Sequence, residues 1–328
     1  MPLVSVIIPA HNPGRFLRET LESVCAQTFT DWELLVIDDN STEDLSWVPV
    51  DFPRARLIRQ RHGGVSIARN NGILQSTGEF IAFLDQDDLF HPVKLQRQVA
   101  ALQSMPDAAL CYCDLEYIDS DSKPFAPGAS GGTFVQDPAV AVELDGAAPL
   151  PAGEKITRLH QSVLHFATRF VVPGTTLIRR SALAHSGLMD PFIPFCGDYD
   201  LIIKLGARYK VLHIPSADLL YRRHPGSFTS QYDVGRREVE ALIARYVAFA
   251  KAQGDHLLAS RVKSIFRRPG KMYSAQAFDC ARASLRRRQY KSLAYHLMRA
   301  FFFSPTFVLG SLTRYRPGTT RSAGSTSA

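Results

Sequence analysis

Residues 78–88 read Gly-Glu-Phe-Ile-Ala-Phe-Leu-Asp-Gln-Asp-Asp, an apolar run that stops abruptly in three carboxylates. A strand with one wet face alternates polar and apolar residues, whereas a strand covered on both faces reads as a continuous apolar run. Glu79–Leu84 therefore predicts a buried strand ending in an acidic turn. The same signature recurs at Val4–Pro9 (VSVIIP), which ends in Ala10-His11-Asn12, and at Glu33–Ile37 (ELLVI), which ends in Asp38-Asp39-Asn40-Ser41. Arg56–Arg59, Ala109–Tyr117, Val171–Ile178 and Lys210–Ile214 read as further strands.

Helical segments separate these strands. Phe16, Leu17, Thr20, Leu21, Val24 and Cys25 fall on one stripe, with Asn12 as the expected cap and Pro13 in the first position. Ser66–Gln75, with Ser66 as its cap, and Val93–Ser104 are predicted helices. Another is expected from Asp198 through Gly206, and several helical pieces from Arg236 onward. Strands that alternate with helices predict an α/β fold: one Rossmann-like, parallel-rich sheet flanked by helices. The segment 119–169 carries Pro, Gly and Ser clusters and reads as loops around short elements.

Composition sets bounds on function. The chain has 328 residues, 45% hydrophobic and 21% charged, which excludes collagen-like, coiled-coil and wholly disordered classes. Five cysteines at irregular spacing imply no disulfide framework and a reducing compartment. The opening MPLVSVIIPAHN lacks a basic region and a long apolar core, so a secretory signal is not expected. No run of 18 apolar residues predicts a spanning helix. Charge is uneven: residues 251–328 carry 15 Lys/Arg against two acids, a net +13, which leaves −6 for residues 1–250 of a chain at +7.

In open parallel sheets, ligands bind beyond the carboxyl ends of the strands. Here two of those ends are acidic, Asp38-Asp39 and Asp85-Gln86-Asp87-Asp88. Like charges gathered on one rim require a reason. Hydrogen bonds to a ligand's N–H and O–H groups would supply one, and a divalent cation another. The competing reading of Asp38–Ser41 is turn chemistry after a strand. Other motifs are declined. Gly128-Ala129-Ser130-Gly131-Gly132 fits G-x-S-x-G but lacks the strand–helix context of a nucleophile elbow. Cys111-x-Cys113 alternates within a strand and has no partner pair for zinc. There is no G-x-G-x-x-G after the first strand and no phosphate-binding G-x-x-x-x-G-K-[ST].

Taken in order, VSVIIPAHN, QTFTDWELLVIDDNSTED, HGGVSIARNNGI and GEFIAFLDQDD resemble the successive blocks of the family 2 inverting glycosyltransferases, which have the GT-A fold. The resemblance covers about residues 3–100 closely and resumes at FCGDYDLIIKL and YRRHPGSFTS. It implies a catalytic domain over 1–235, with a donor half to about 118 and an acceptor half over 119–235; the charge count and helical pattern add a basic helical extension over 236–328 that ends in a frayed tail. It implies that Pro9, Ala10 and His11 line the base pocket of a nucleotide-sugar donor, UDP-sugar above all, with Asp39 as the uridine-binding acid and Asp38 beside it. Arg69 matches a family arginine near the nucleotide. Asp85-Gln86-Asp87 stands where the family's DxD motif stands: Asp87 would ligate a divalent cation (Mg²⁺ or Mn²⁺), while Asp85 would contact ribose or sugar, or share the metal. Asp198 matches the catalytic base, and His224 a histidine that adds a metal or diphosphate contact. Many members have a glutamate immediately before that base. Gly197 stands there instead, which removes an acceptor-binding carboxylate.

Bland readings stay open beside these. Asp198 could be an N-cap, Arg69 a surface helix residue, and His224 part of a solvated turn before Pro225-Gly226. At the level of the whole chain, the alternative to an enzyme is a nucleotide-sugar-binding module that has lost catalysis. A nucleic-acid partner for Arg267-Arg268 and Arg286-Arg287-Arg288 has no motif to support it. In the tail, Leu293, Leu297 and Phe301–Phe303 form an apolar stripe flanked by arginines. Ala300–Leu312 is too short to span a bilayer about 30 Å thick. The pattern predicts a segment lying on an anionic membrane surface, on the cytoplasmic face, and suits a carbohydrate or lipid-linked acceptor. The competing reading packs the stripe on protein.

Overall fold

In the computed structural model, residues 1–124, 171–193, 196–224, 226–227 and 232–256 are described, together with Ser162 and Tyr290. The chain divides into two compact units, Met1–Val262 and Lys263–Ala328. The predicted apolar stripe of the tail and the G-x-S-x-G match at 128–132 lie outside the described residues.

The first unit is built on one eight-stranded sheet. Its strands are β1 (Val4–Ala10), β2 (Trp32–Asp38), β3 (Ala55–Arg59), β4 (Phe80–Phe83), β5 (Leu89–Phe90), β6 (Ala108–Ile118), β7 (Thr176–Arg179) and β8 (Lys210–Arg222), in the spatial order β3-β2-β1-β4-β7-β6-β8-β5. The β3-β2-β1-β4 half is parallel. β7 then runs antiparallel to both β4 and β6, while β8 returns parallel to β6. Helices α1 (Phe16–Cys25), α2 (Trp47–Asp51), α3 (Val65–Gln75), α4 (Lys94–Ser104), α5 (Arg180–Ser186), α6 (Gly197–Gly206) and α7 (Tyr232–Ala252) complete the described elements. Helix α7 straddles the expected boundary at 235/236 and falls within the first unit.

The continuous apolar runs are the two-sided core strands they were expected to be. Every residue of β1 is buried, as is every residue of β4. Val4, Val6, Ile7 and Ile8 are fully covered, and burying each such side chain is worth about 1.5–3 kcal/mol. Cys111 and Cys113 are likewise buried in β6, which bears out their reading as core. Among the described residues, no helix is long and apolar enough to cross a membrane.

Several local expectations require correction. Asn12 does not cap α1, which starts three residues past Pro13 with Arg15 at its N-cap. Asn12 instead adopts φ +46°, and its Oδ1 accepts the Thr42 backbone N–H at 2.8 Å, because a short amide tolerates the left-handed region and can tie one loop to the next. Ser66 lies inside α3, whose N-cap is Gly64 at φ +86°. Of the α1 stripe, Leu17, Thr20, Leu21 and Val24 are buried, while Cys25 is exposed. The predicted strand Val171–Ile178 is broken by Pro173, so that Pro173–Thr175 forms a 3₁₀ turn and only Thr176–Arg179 pairs. The short helices α2 and α5 were missed because neither is long enough to show a period.

The close seating of α3 on the sheet rests on Gly72. A Cβ there would lie 2.3 Å from Ile7 Cγ2 and 3.3 Å from Ile37 Cγ1, both in buried strands. Overpacking a rigid core of this kind costs roughly 1–3 kcal/mol. Gly72→Ala is therefore expected to lower the urea unfolding free energy by about that amount with an unchanged m-value. A variant as stable as the parent would mean that α3 can lift off β1 freely.

Candidate active site

The carboxyl ends of β1, β2 and β4 meet on one rim, and the turn after β4 is held there from three sides. Thr20 Oγ1 on α1 lies 3.0 Å from the Gln86 carbonyl and 2.9 Å from that of Asp88. The Gln86 side chain reaches back to β1: its Oε1 accepts the His11 backbone N–H at 2.7 Å and its Nε2 donates to the His11 carbonyl at 3.3 Å. From β8, the Arg222 backbone N–H donates to Asp88 Oδ1 at 2.8 Å. These bonds fix the course of the Asp85-Gln86-Asp87-Asp88 turn and the direction of the Asp88 carboxylate.

Each of the three acids meets a different basic residue. Asp85 Oδ1 accepts from Arg69 Nη2 on α3 at 2.5 Å. Arg69 is 6% exposed, so the surface-helix reading fails, and its Nε is buried with no hydrogen-bond partner. Asp87 Oδ2 stands 2.8 Å from His224 Nε2, and the His224 ring packs on Phe16 with centroids 4.6 Å apart. Asp88 is fully buried against Arg222; burial, followed by the neighbouring charges of Asp87 and Asp85, pushes its pKa well above the usual carboxylate value.

The β1 and β2 ends form the adjoining wall. Pro9 and Ala10 are buried in β1, while His11 is exposed and its Nδ1 lies 2.9 Å from the Asp39 carbonyl. The His11 and His62 rings pack at a tilt of 39° with centroids 4.8 Å apart. Asp39 is buried, and its carboxylate organises the loop after β3. Oδ1 accepts from Gln60 Nε2 at 2.7 Å and Gly63 N–H at 2.8 Å, and Oδ2 from Gly64 N–H at 2.8 Å, with His62 Nδ1 3.0 Å away. Burial raises the pKa of this carboxyl, but those hydrogen bonds and His62 outweigh it and hold it below the ordinary value. Asp38 turns the other way, where its Oδ1 accepts the Ser41 backbone N–H at 2.7 Å. That is the turn chemistry weighed for Asp38–Ser41.

Helix α6 brings in Asp198. Cys196 occupies its N-cap position without a side-chain bond, and Asp198 stands inside the first turn with Oδ1 accepting the Tyr199 N–H at 2.8 Å. Asp198 is therefore not the cap. Gly197 permits the approach of α6 to α3, since a Cβ there would lie 2.5 Å from Ser66 Oγ. A side chain there would make the Ser66 hydroxyl turn away, and Arg69 lies one turn further along α3. Burial pushes the Asp198 carboxyl up to about 6, with Arg69 opposing the shift and Asp85 adding to it. Asp200 points elsewhere: it is fully buried and bonded to Lys204, Arg245 and Tyr246.

The sequence reading missed Thr20, Gln86, Gln60, His62 and Arg222. Gln86, His62 and Arg222 lie inside the motif blocks without being singled out there; each acts by holding a site residue. Among the described residues, no cluster of three ligating side chains forms a self-contained metal site. The Asp87 carboxylate and the His224 imidazole are the two that converge.

A family model, "Glycosyl transferase family 2", matches residues 5–187. The chain belongs to glycosyl transferase family 2. Its fold is the GT-A type that the sequence resemblance implied. An uncharacterized glycosyltransferase of Rickettsia typhi is 30% identical over 207 residues, 62% of this chain and 58% of that protein. The Escherichia coli protein WfgD, a UDP-Glc:alpha-D-GlcNAc-diphosphoundecaprenol beta-1,3-glucosyltransferase, is 33% identical over 123 residues, covering 37% and 48% of the two chains. The matches thus span less than two thirds of these relatives' own length. Among solved structures, TarS 1–349 of S. aureus in complex with UDP-GlcNAc aligns with TM-score 0.50 at 18% identity, covering 73% and 66% of the chains. The mannosyltransferase PcManGT of Pyrobaculum calidifontis, in complex with GDP-Man and Mn²⁺, aligns with TM-score 0.54 at 15% identity, covering 93% and 87%.

The raised pKa of Asp198 has a consequence for this family 2 fold that does not depend on substrate. A carboxyl whose pKa is higher in the folded chain binds more protons there than when unfolded, between the ordinary value and about 6. Stability therefore falls as pH rises through that window, and ionised Asp198 is a cost at neutral pH. Asp198→Asn is expected to raise the thermal midpoint at pH 8 and to lose that advantage near pH 4, read by calorimetry. A lower midpoint at pH 8 would make Asp198 a structural support.

Proposed function

We propose that the chain is a metal-dependent inverting glycosyltransferase that moves a sugar from a nucleotide diphosphate, UDP-sugar above all, to an acceptor hydroxyl. The observation that carries the reading is the meeting of Asp85–Arg69, Asp87–His224 and a pKa-raised Asp198 around one rim. Departure of the nucleoside diphosphate leaves charge on the β-phosphate. Asp87 and His224 are the residues that would hold a divalent cation, which when bound neutralises that charge. A carboxylate oxygen and an imidazole nitrogen suit Mn²⁺, and two protein ligands leave positions for diphosphate oxygens. Arg69 adds a buried positive charge, and its unpaired Nε–H remains to donate. Asp198, half ionised near pH 6, takes the proton of the attacking hydroxyl. One base and in-line attack suffice for inversion, with no covalent intermediate.

The donor base is proposed to lie against His11 and the Gln60–Gly64 loop. His62 is the exposed partner of Asp39, so an imide N–H can replace it at Oδ2. WfgD is named for a UDP-Glc donor, and TarS binds UDP-GlcNAc; both are consistent with uracil here. The acceptor is proposed to be a carbohydrate or a lipid-linked sugar of cell-surface glycan synthesis, and the basic tail to hold the enzyme on the cytoplasmic membrane face. The alternative of a binding module without catalysis draws its support from Gly197. The close approach of Gly197 to the Ser66 hydroxyl offers a packing reason for that glycine beside the loss of catalysis.

Transfer from UDP-sugars, followed by UDP release, is expected to vanish under chelation and to fall as pH drops below about 6. Asp198→Asn is expected to lose about 10²–10⁴-fold in kcat with UDP affinity retained. Full activity under chelation would overturn the metal reading. A residual rate within several-fold of the parent would remove Asp198 from the base role. Asp39→Ala is expected to weaken UDP binding at least tenfold by titration calorimetry, and unaltered binding would place the base elsewhere.

A further inference from the structure

Arg222 is one of the largest fully buried side chains of the protein, 1% exposed, and every hydrogen-bonding end of it is used. Its Nε donates to the Asp87 carbonyl at 2.7 Å. Nη1 donates to Ser122 Oγ at 2.8 Å and lies 3.3 Å from the Asp119 carbonyl. Nη2 donates to Glu19 Oε2 at 2.9 Å, and its backbone N–H takes Asp88 Oδ1. The guanidinium also lies over Phe16, 4.8 Å from the ring centroid, and that ring is the one on which His224 packs. One side chain thus ties α1, the turn after β4, the turn after β6 and the end of β8 together. Two residues further along the same strand end stands His224, facing Asp87.

We propose that Arg222 is a positioning residue that sets the Asp87–His224 pair at bonding distance from one cation, an inference that rests on the metal-dependent reading above. It grips Asp87 through the backbone and anchors the strand end from which His224 follows two residues on, so both halves of the pair are referred to one rigid group. A planar five-donor fork can hold four acceptors in fixed directions, which a lysine ammonium cannot. Burying that cation is tolerable because Glu19 pairs with it and its remaining N–H groups all find oxygen acceptors. Glu19, whose side chain is 42% exposed, is the solvent-side end of the clamp. Its Oε2 also accepts from Ser122 Oγ at 2.5 Å.

The test is UDP binding by the full chain, measured as thermal stabilisation across a Mn²⁺ titration, with no turnover involved. Arg222→Lys keeps the charge and loses the fork. It is expected to raise the Mn²⁺ concentration at half-effect at least tenfold, while UDP at saturating Mn²⁺ still stabilises the fold. Glu19→Gln leaves Arg222 in place but slackens the clamp, and is expected to raise the half-effect concentration several-fold. It serves in place of Arg222→Lys if that variant does not fold. A folded Arg222→Lys with an unchanged Mn²⁺ half-effect overturns the proposal, as does an unchanged Glu19→Gln where the lysine variant is unfolded. If the parent's UDP stabilisation is itself indifferent to Mn²⁺ and to chelation, the metal reading fails and this inference falls with it.

Discussion

Three carboxylates within four residues cannot stand at the end of a buried strand unless positive charge meets them. Two like charges about 4 Å apart repel by about 4 kcal/mol at the effective dielectric of a protein surface. The rest of the site follows from how that repulsion is met. Arg69 comes from α3, and His224 and Arg222 from the end of β8, and each is held by packing. Gly72 seats α3 on β1, Gly197 lets α6 approach α3, and Phe16 supports both His224 and Arg222.

The same compensation separates the roles of the acids. Asp88, buried with its backbone partner on β8, is pushed toward the protonated form and fixes the turn. Asp85 and Asp87 stay partly open, Asp85 bonded to Arg69 and Asp87 to His224. Asp198 is raised to about 6 by burial, which the nearby Arg69 only partly offsets. Carboxyls with pKa values driven apart by environment are the usual basis for dividing acid, base and ligand work within one site.

The parallel half of the sheet was legible because a strand covered on both faces writes a continuous apolar run, and β1, β2 and β4 all do. The positions of Asp85, Asp87 and Asp198 were legible from motif order. The state of Asp39 was not: its carboxylate is engaged by Gln60, Gly63 and Gly64, and hydrogen bonds to a loop some 20 residues on leave no trace in local pattern. Arg222 was hidden for a related reason. An arginine beside Arg223 at a strand end reads as solvated charge, and only the closing of α1 over β8 buries it. Asn12 misled because a residue that caps helices is also one that tolerates positive φ.

The central claim is that Asp87 and His224 share one cation with a bound nucleoside diphosphate on the rim of β1, β2 and β4. An anomalous difference map of crystals grown with UDP and Mn²⁺ tests it most directly. The account predicts one strong peak at bonding distance from Asp87 Oδ2 and His224 Nε2, with diphosphate oxygens completing its shell and the uracil beside His11. A manganese peak away from this pair, or UDP bound outside the rim, would contradict it.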